Sequence, residues 1–147
     1  MHTEHLQNVT LGRVLGGWLV AIAVTSFILL VLAGFDAVPL SGDGTWWSVL
    51  AVAVGFFGGG FFTGFRALQA PVLHGIAIGM MSLGAWLIAN LAVFGLAGRE
   101  SWAALTPTLT IALLATMMLT AVIGALLGYN FAVVGKPGLT EHEPMQD

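Results

Sequence analysis

The sequence predicts an all-α, polytopic integral membrane protein in which four transmembrane helices pack through small-residue, GxxxG-type faces. Three observations lead there. Hydrophobic residues make up 58% of the 147 and charged residues only 7%, against about 25% charged in soluble domains. The apolar residues gather into four runs, each close to the roughly 20 needed to cross the hydrocarbon core of a bilayer. Small residues recur every fourth position within those runs. In a water-soluble helix each glycine would cost about 1 kcal/mol relative to alanine, so glycine at this spacing points to helices in backbone contact.

Residues 1–13, with His2, Glu4, His5 and Arg13, read as a short cytoplasmic lead-in, and the paired histidines as part of a solvated tail without the fixed geometry of a metal site. The first span is 14–35, about 33 Å at 1.5 Å per residue. It is too long for a signal-peptide core and lacks a convincing cleavage site, so it is expected in the mature protein. Gly12 and Gly16, then Gly17, Ala21 and Thr25, lie at fourfold spacing. Pro39, Gly42 and Gly44 form the first outer loop, and Trp46-Trp47 anchor the next span at headgroup depth.

The second span, 47–67, holds the segment on which the chain is organised. Ala51, Gly55, Gly59 and Thr63 form one stripe, Gly60 and Gly64 a second, and Phe57, Phe61 and Phe65 a bulky ridge. Arg66 ends it, its side chain reaching back to the headgroups. A very short connection makes spans two and three antiparallel neighbours. Pro71 suits the first turn of the third span, 71–96, where its missing N–H costs nothing, and Gly75, Gly79, Ser82, Trp86 and Asn90 fall on one side at 100° per residue. The fourth span, 105–134, carries Thr108, Ala112, Thr116, Thr120, Gly124, Gly128 and Ala132, all four apart. Such a repeat calls for right-handed crossing. Residues 135–147, opened by Gly135-Lys136-Pro137-Gly138, read as a disordered acidic tail.

Arg13, Arg66 and Lys136 fall on one side of these spans, and Arg99 on the other with Asp36, Asp43 and Glu100. The bias places both termini in the cytoplasm, with the chain multi-pass in a bacterial inner (plasma) membrane. The net charge of −3 belongs mostly to tails and loops and offers no polybasic patch, which leaves nucleic acid out as a partner. With no cysteine there are no disulfides, thiolate nucleophiles or Cys-ligated metals.

Every acidic residue lies outside the apolar spans, and no general acid-base pair, metal cluster or phosphate-cradling loop is present, so an enzyme is not expected. His74 is the one ionisable side chain inside a span, and it is open to three readings: an interfacial residue hydrogen-bonded to the Arg66 loop or to a carbonyl of helix two, a proton site, or a ligand to (bacterio)chlorophyll or haem. The last rests on Ala70 four residues before it and Gly75 beside it, which would leave space for a flat ring. No cofactor is predicted otherwise. Asn90 reads as an interhelical hydrogen-bonding residue, and the helix-four threonines as bonded to their own carbonyls.

The stretch Gly59-Gly60-Phe61-Phe62-Thr63-Gly64-Phe65-Arg66, with Leu73-His74-Gly75 and Gly79, resembles the small, uncharacterised bacterial four-helix membrane proteins of the YrzE-like kind, a resemblance that implies fold and plasma membrane but no activity. A weaker similarity links 55–65 to the small four-helix fluoride channels. There the corresponding stretch lies in the third helix and follows an asparagine-bearing second helix, so their pore residues do not transfer.

The function expected on these grounds is a non-enzymatic, helix-packing accessory or structural subunit of a larger membrane complex or homo-oligomer. Its partners are the lipid bilayer and other membrane helices, and its packing residues Gly55, Gly59, Gly60, Gly64, Gly75, Gly79, Thr116, Thr120, Gly124 and Gly128. The alternatives are a small channel or transporter using Thr63 and Asn90 as a polar path, and pigment or haem binding at His74.

Overall fold

A computed structural model of the chain describes residues 9–35, 45–67, 69–97 and 107–134. The lead-in through residue 8, the loops 36–44 and 98–106, and the acidic tail 135–147 lie outside the described residues. Four helices follow one another: α1 (Leu11–Gly34), α2 (Thr45–Arg66), α3 (Pro71–Ala97) and α4 (Pro107–Val134). All four are long and apolar enough to cross a membrane. Helix α1 starts ahead of the boundary read from the sequence because Thr10 already accepts hydrogen bonds from the amides of Arg13 (3.0 Å) and Val14 (3.2 Å). Arg13 therefore belongs to the helix.

The tight connection from α2 to α3 requires an unusual backbone. Ala70 takes φ of 50°, a left-handed conformation that an alanine adopts at a cost of about 1–2 kcal/mol, and Pro71 then opens α3 with its fixed φ. The turn is held by the Ala67 amide on the Thr63 carbonyl (2.7 Å) and the His74 amide on the Ala70 carbonyl (3.2 Å).

Helix α2 is the centre of the bundle, with α4 packed most extensively against it and α1 on its other flank, while α3 leans on α4. The contacts are made through glycine. Positions 59 and 60 are about 100° apart on a helix, so the Gly55/Gly59 stripe meets α1 and the Gly60/Gly64 stripe meets α4. A methyl carbon on Gly55 would stand 2.7 Å from the Ala21 carbonyl oxygen, and one on Gly59 3.0 Å from the Ala21 nitrogen. On the other flank it would meet the Cα of Ala121 at 2.8 Å from Gly60 and that of Ala125 at 2.7 Å from Gly64. Helix α4 answers with Gly124 and Gly128, each set against the α2 backbone, and α3 contributes Gly75 at the Cα of Val122 (2.6 Å) and Gly79 at the side chain of Met118 (2.8 Å).

The buried side chains are correspondingly small, chiefly alanine, with Val14, Val52, Phe56 and Ile78 among the few larger ones. Leu30, Phe27 and Phe131 are about two-thirds exposed or more. This inverts the usual distribution of a water-soluble domain.

Candidate functional site

Because α1 and α3 each lean on the α2–α4 pair, they face one another with little direct packing. At the end that holds the α2–α3 turn they are tied by side chains. The Thr10 amide donates to His74 Nε2 (3.4 Å), and Trp18 Nε1 donates to Ser82 Oγ (3.1 Å). Beyond that second tie a cleft of about 400 Å³ opens. Trp18 and Ser82 close its floor. Ile22, Thr25 and Ser26 of α1 form one wall, with Ala85, Trp86 and Asn90 of α3 opposite. Val52 and Phe56 of α2, with Leu113 and Met117 of α4, form the back.

Three polar side chains in these walls are bonded to protein groups. Ser82 Oγ accepts from Trp18 and donates to the Ile78 carbonyl (3.1 Å), Asn90 Nδ2 donates to the Trp86 carbonyl (2.8 Å), and Thr25 Oγ1 donates to the Ala51 carbonyl (3.4 Å). Most of the surface left to meet an occupant is aromatic and aliphatic. No family model, curated protein or solved structure matches the chain.

His74 is fully buried, at 0% exposure. Its Nδ1 lies 2.9 Å from the Ala70 carbonyl, to which it donates, while Nε2 accepts from Thr10, so the partners select the tautomer with the proton on Nδ1. Both nitrogens are engaged with backbone. The space that Gly75 was expected to leave for a flat ring is filled by the backbone of α4 at Val122. A macrocycle at His74 would have to displace both α4 and the start of α1.

The polar-path residues do not come together. Thr63, 1% exposed, shares its hydroxyl proton between the carbonyls of Gly59 (2.9 Å) and Arg13 (3.4 Å) near the α2–α3 turn. Ile78 of α3 shares the Gly17 contact with Thr63, and Asn90, twelve residues further on, lies roughly 18 Å along the bundle axis at 1.5 Å per residue. Thr116 and Thr120 are half-buried and donate to the carbonyls of Ala112 (2.8 Å) and Thr116 (2.7 Å) on their own helix.

Ser82, Trp86 and Asn90 are legible in the sequence as one face of the third span. Trp18 and Phe56, which complete the cleft, belong to none of the small-residue stripes that spacing marks out. Their only sequence signal is an aromatic residue well inside a span, away from the interfaces where tryptophan usually anchors.

Proposed function

We propose that the chain is a non-enzymatic, multi-pass protein of a bacterial inner membrane that binds a slender apolar molecule, a lipid or isoprenoid chain, in the cleft between α1 and α3. Its termini are cytoplasmic. Glycine-mediated, GxxxG-type contacts in the bilayer fix the α2–α4 pair and set α1 and α3 apart. The resemblance of the α2–α3 hairpin to YrzE-like proteins is in keeping with a small membrane bundle of this kind.

The cleft's shape carries the reading. Its walls run from Trp18 to Ser26 and from Ser82 to Asn90, about 12 Å at 1.5 Å per residue. A hydrocarbon chain of about that length can lie along these walls, whose exposed surface is almost wholly apolar. The volume also falls within the range of about 300–1,000 Å³ usual for small-molecule sites, and the mostly apolar lining favours an apolar guest over an ion or polar solute.

Native mass spectrometry of the full chain, released gently from its membrane, tests this. The expected result is one retained apolar molecule, with occupancy at least tenfold lower in Ala85→Phe, which fills the cleft. An empty parent protein, or equal occupancy in both, overturns the proposal. The accessory-subunit reading keeps one specific observation in its favour. Phe57, Phe61 and Phe65 stack in a ridge at centroid spacings of 6.5 and 6.4 Å, and Phe131 packs edge-on against Phe61 at 5.8 Å. This aromatic face is partly exposed along α2 and α4. A second chain in the same spectra, lost in Phe131→Ala, would establish it.

A further inference from the structure

We infer that Arg13 and Arg66 form a binding site for a phosphate group presented by an anionic phospholipid at the end of the bundle where α1 begins and α2 ends. The two arginines line a common cavity of about 380 Å³ together with Gly12, Gly16, Phe62 and Thr63. They come from different helices, and the packing of Gly17 on α2 brings their backbones together.

The surroundings prepare the cavity for an anion. The Arg66 guanidinium lies over the Phe62 ring, 5.1 Å from its centroid, which holds it at the rim of the cavity while leaving N–H groups for a ligand. A methyl carbon on Gly12 would meet nothing within 4 Å, and one on Gly16 only the edge of Phe62 at 3.8 Å. These glycines are not needed for packing and leave the space between the arginines open.

Depth selects the source of the phosphate. Arg13 stands in the first turn of one span and Arg66 in the last turn of another, at the depth where a bilayer presents phosphodiesters, and guanidinium forks suit phosphate oxygens in a way point charges do not. The inference rests on the membrane reading but is independent of what fills the α1–α3 cleft, which lies on other residues.

The test titrates the full-length protein in neutral detergent with phosphatidylglycerol, phosphatidylcholine or inorganic phosphate and reads bound lipid by mass and thermal stability. Phosphatidylglycerol is expected to bind in preference to phosphatidylcholine. Affinity should fall about fivefold in Arg13→Gln or Arg66→Gln and about 25-fold in the double variant. Gly16→Leu, which keeps both charges but fills the cavity, should also lose at least fivefold, and Arg13→Lys/Arg66→Lys should keep the preference for the anionic lipid. Indifference between the two lipids, or unchanged affinity in the double glutamine variant with its helix content intact, overturns the site. Stabilisation by inorganic phosphate that the double variant loses, without any effect of phosphatidylglycerol, overturns the lipid as the source.

Discussion

Gly60 sets its α-carbon so close to α4 that a methyl group there would come within 2.8 Å of the Cα of Ala121, and a methyl group on Gly124 would come within 2.9 Å of the Phe61 nitrogen. Backbone atoms cannot rotate away as a side chain can, so the helices themselves would have to separate. Gly60→Ala and Gly124→Ala are each expected to lower stability by about 1–3 kcal/mol, measured by unfolding in mixed micelles. Gly84→Ala, with nothing within 4 Å of the added carbon, should be neutral or stabilise by up to about 1 kcal/mol through helix propensity. Equal losses at all three positions would mean that the close contact is not what these glycines provide. Because the close-packed glycines meet helices of their own chain, Gly59→Leu and Gly124→Leu should unfold the protomer rather than merely separate an assembly. Spacing alone did not reveal this distinction. Gly12 and Gly16 recur as regularly as Gly17 and Ala21, yet only the latter pair packs on α2.

At the scale of the element, the ladder of α4 shows what periodicity can and cannot give. Gly124, Gly128 and Ala132 are buried, Thr116 and Thr120 are half-buried, and Ala112 is exposed, while the parallel stripe Ala121 and Ala125 takes the contact with Gly60 and Gly64. Each four-residue step turns about 40° beyond a full revolution, so six steps wind through roughly 240° and leave any one neighbour. The spans were legible because hydrophobic length is a local property. Which stripe meets which helix depends on crossing geometry, which one sequence does not specify. The Trp18–Ser82 bond is of the same kind, joining residues 64 apart in the chain to hold α1 against α3 at the floor of the cleft. In a double-mutant cycle of Trp18→Phe and Ser82→Ala, a coupling of about 0.6–1.7 kcal/mol is expected, the range for interhelical hydrogen bonds in a bilayer. Ser82 keeps its own acceptor at Ile78, so the cycle isolates the tie between helices. Coupling near zero would mean that glycine packing alone sets the separation of α1 and α3.

For the molecule as a whole, the direction of the helices sorts the charges by end. The start of α1 and the end of α2 are joined by Thr63 on the Arg13 carbonyl, and the start of α3 meets α1 through Thr10 and His74. Gly64 on Ala125 brings the later part of α4 to the same end. That end therefore carries Arg13 and Arg66 and leads to Lys136, while the sequence places Asp36, Asp43 and Glu100 with Arg99 at the other. Since lysine and arginine in short loops resist translocation and acidic residues matter little, the arginine-rich end should face the cytoplasm. That is also where anionic lipid headgroups would be met by the Arg13–Arg66 pair. The absence of cysteine from the sequence permits a direct measurement with single-cysteine variants and a membrane-impermeant maleimide on intact cells. Gly42→Cys and Ser101→Cys should be labelled from outside, and Thr3→Cys and Gly138→Cys only after lysis. The reverse pattern would invert the topology and place the phosphate site on the outer leaflet. Labelling of Thr3→Cys and Gly138→Cys from opposite sides would be incompatible with four spans.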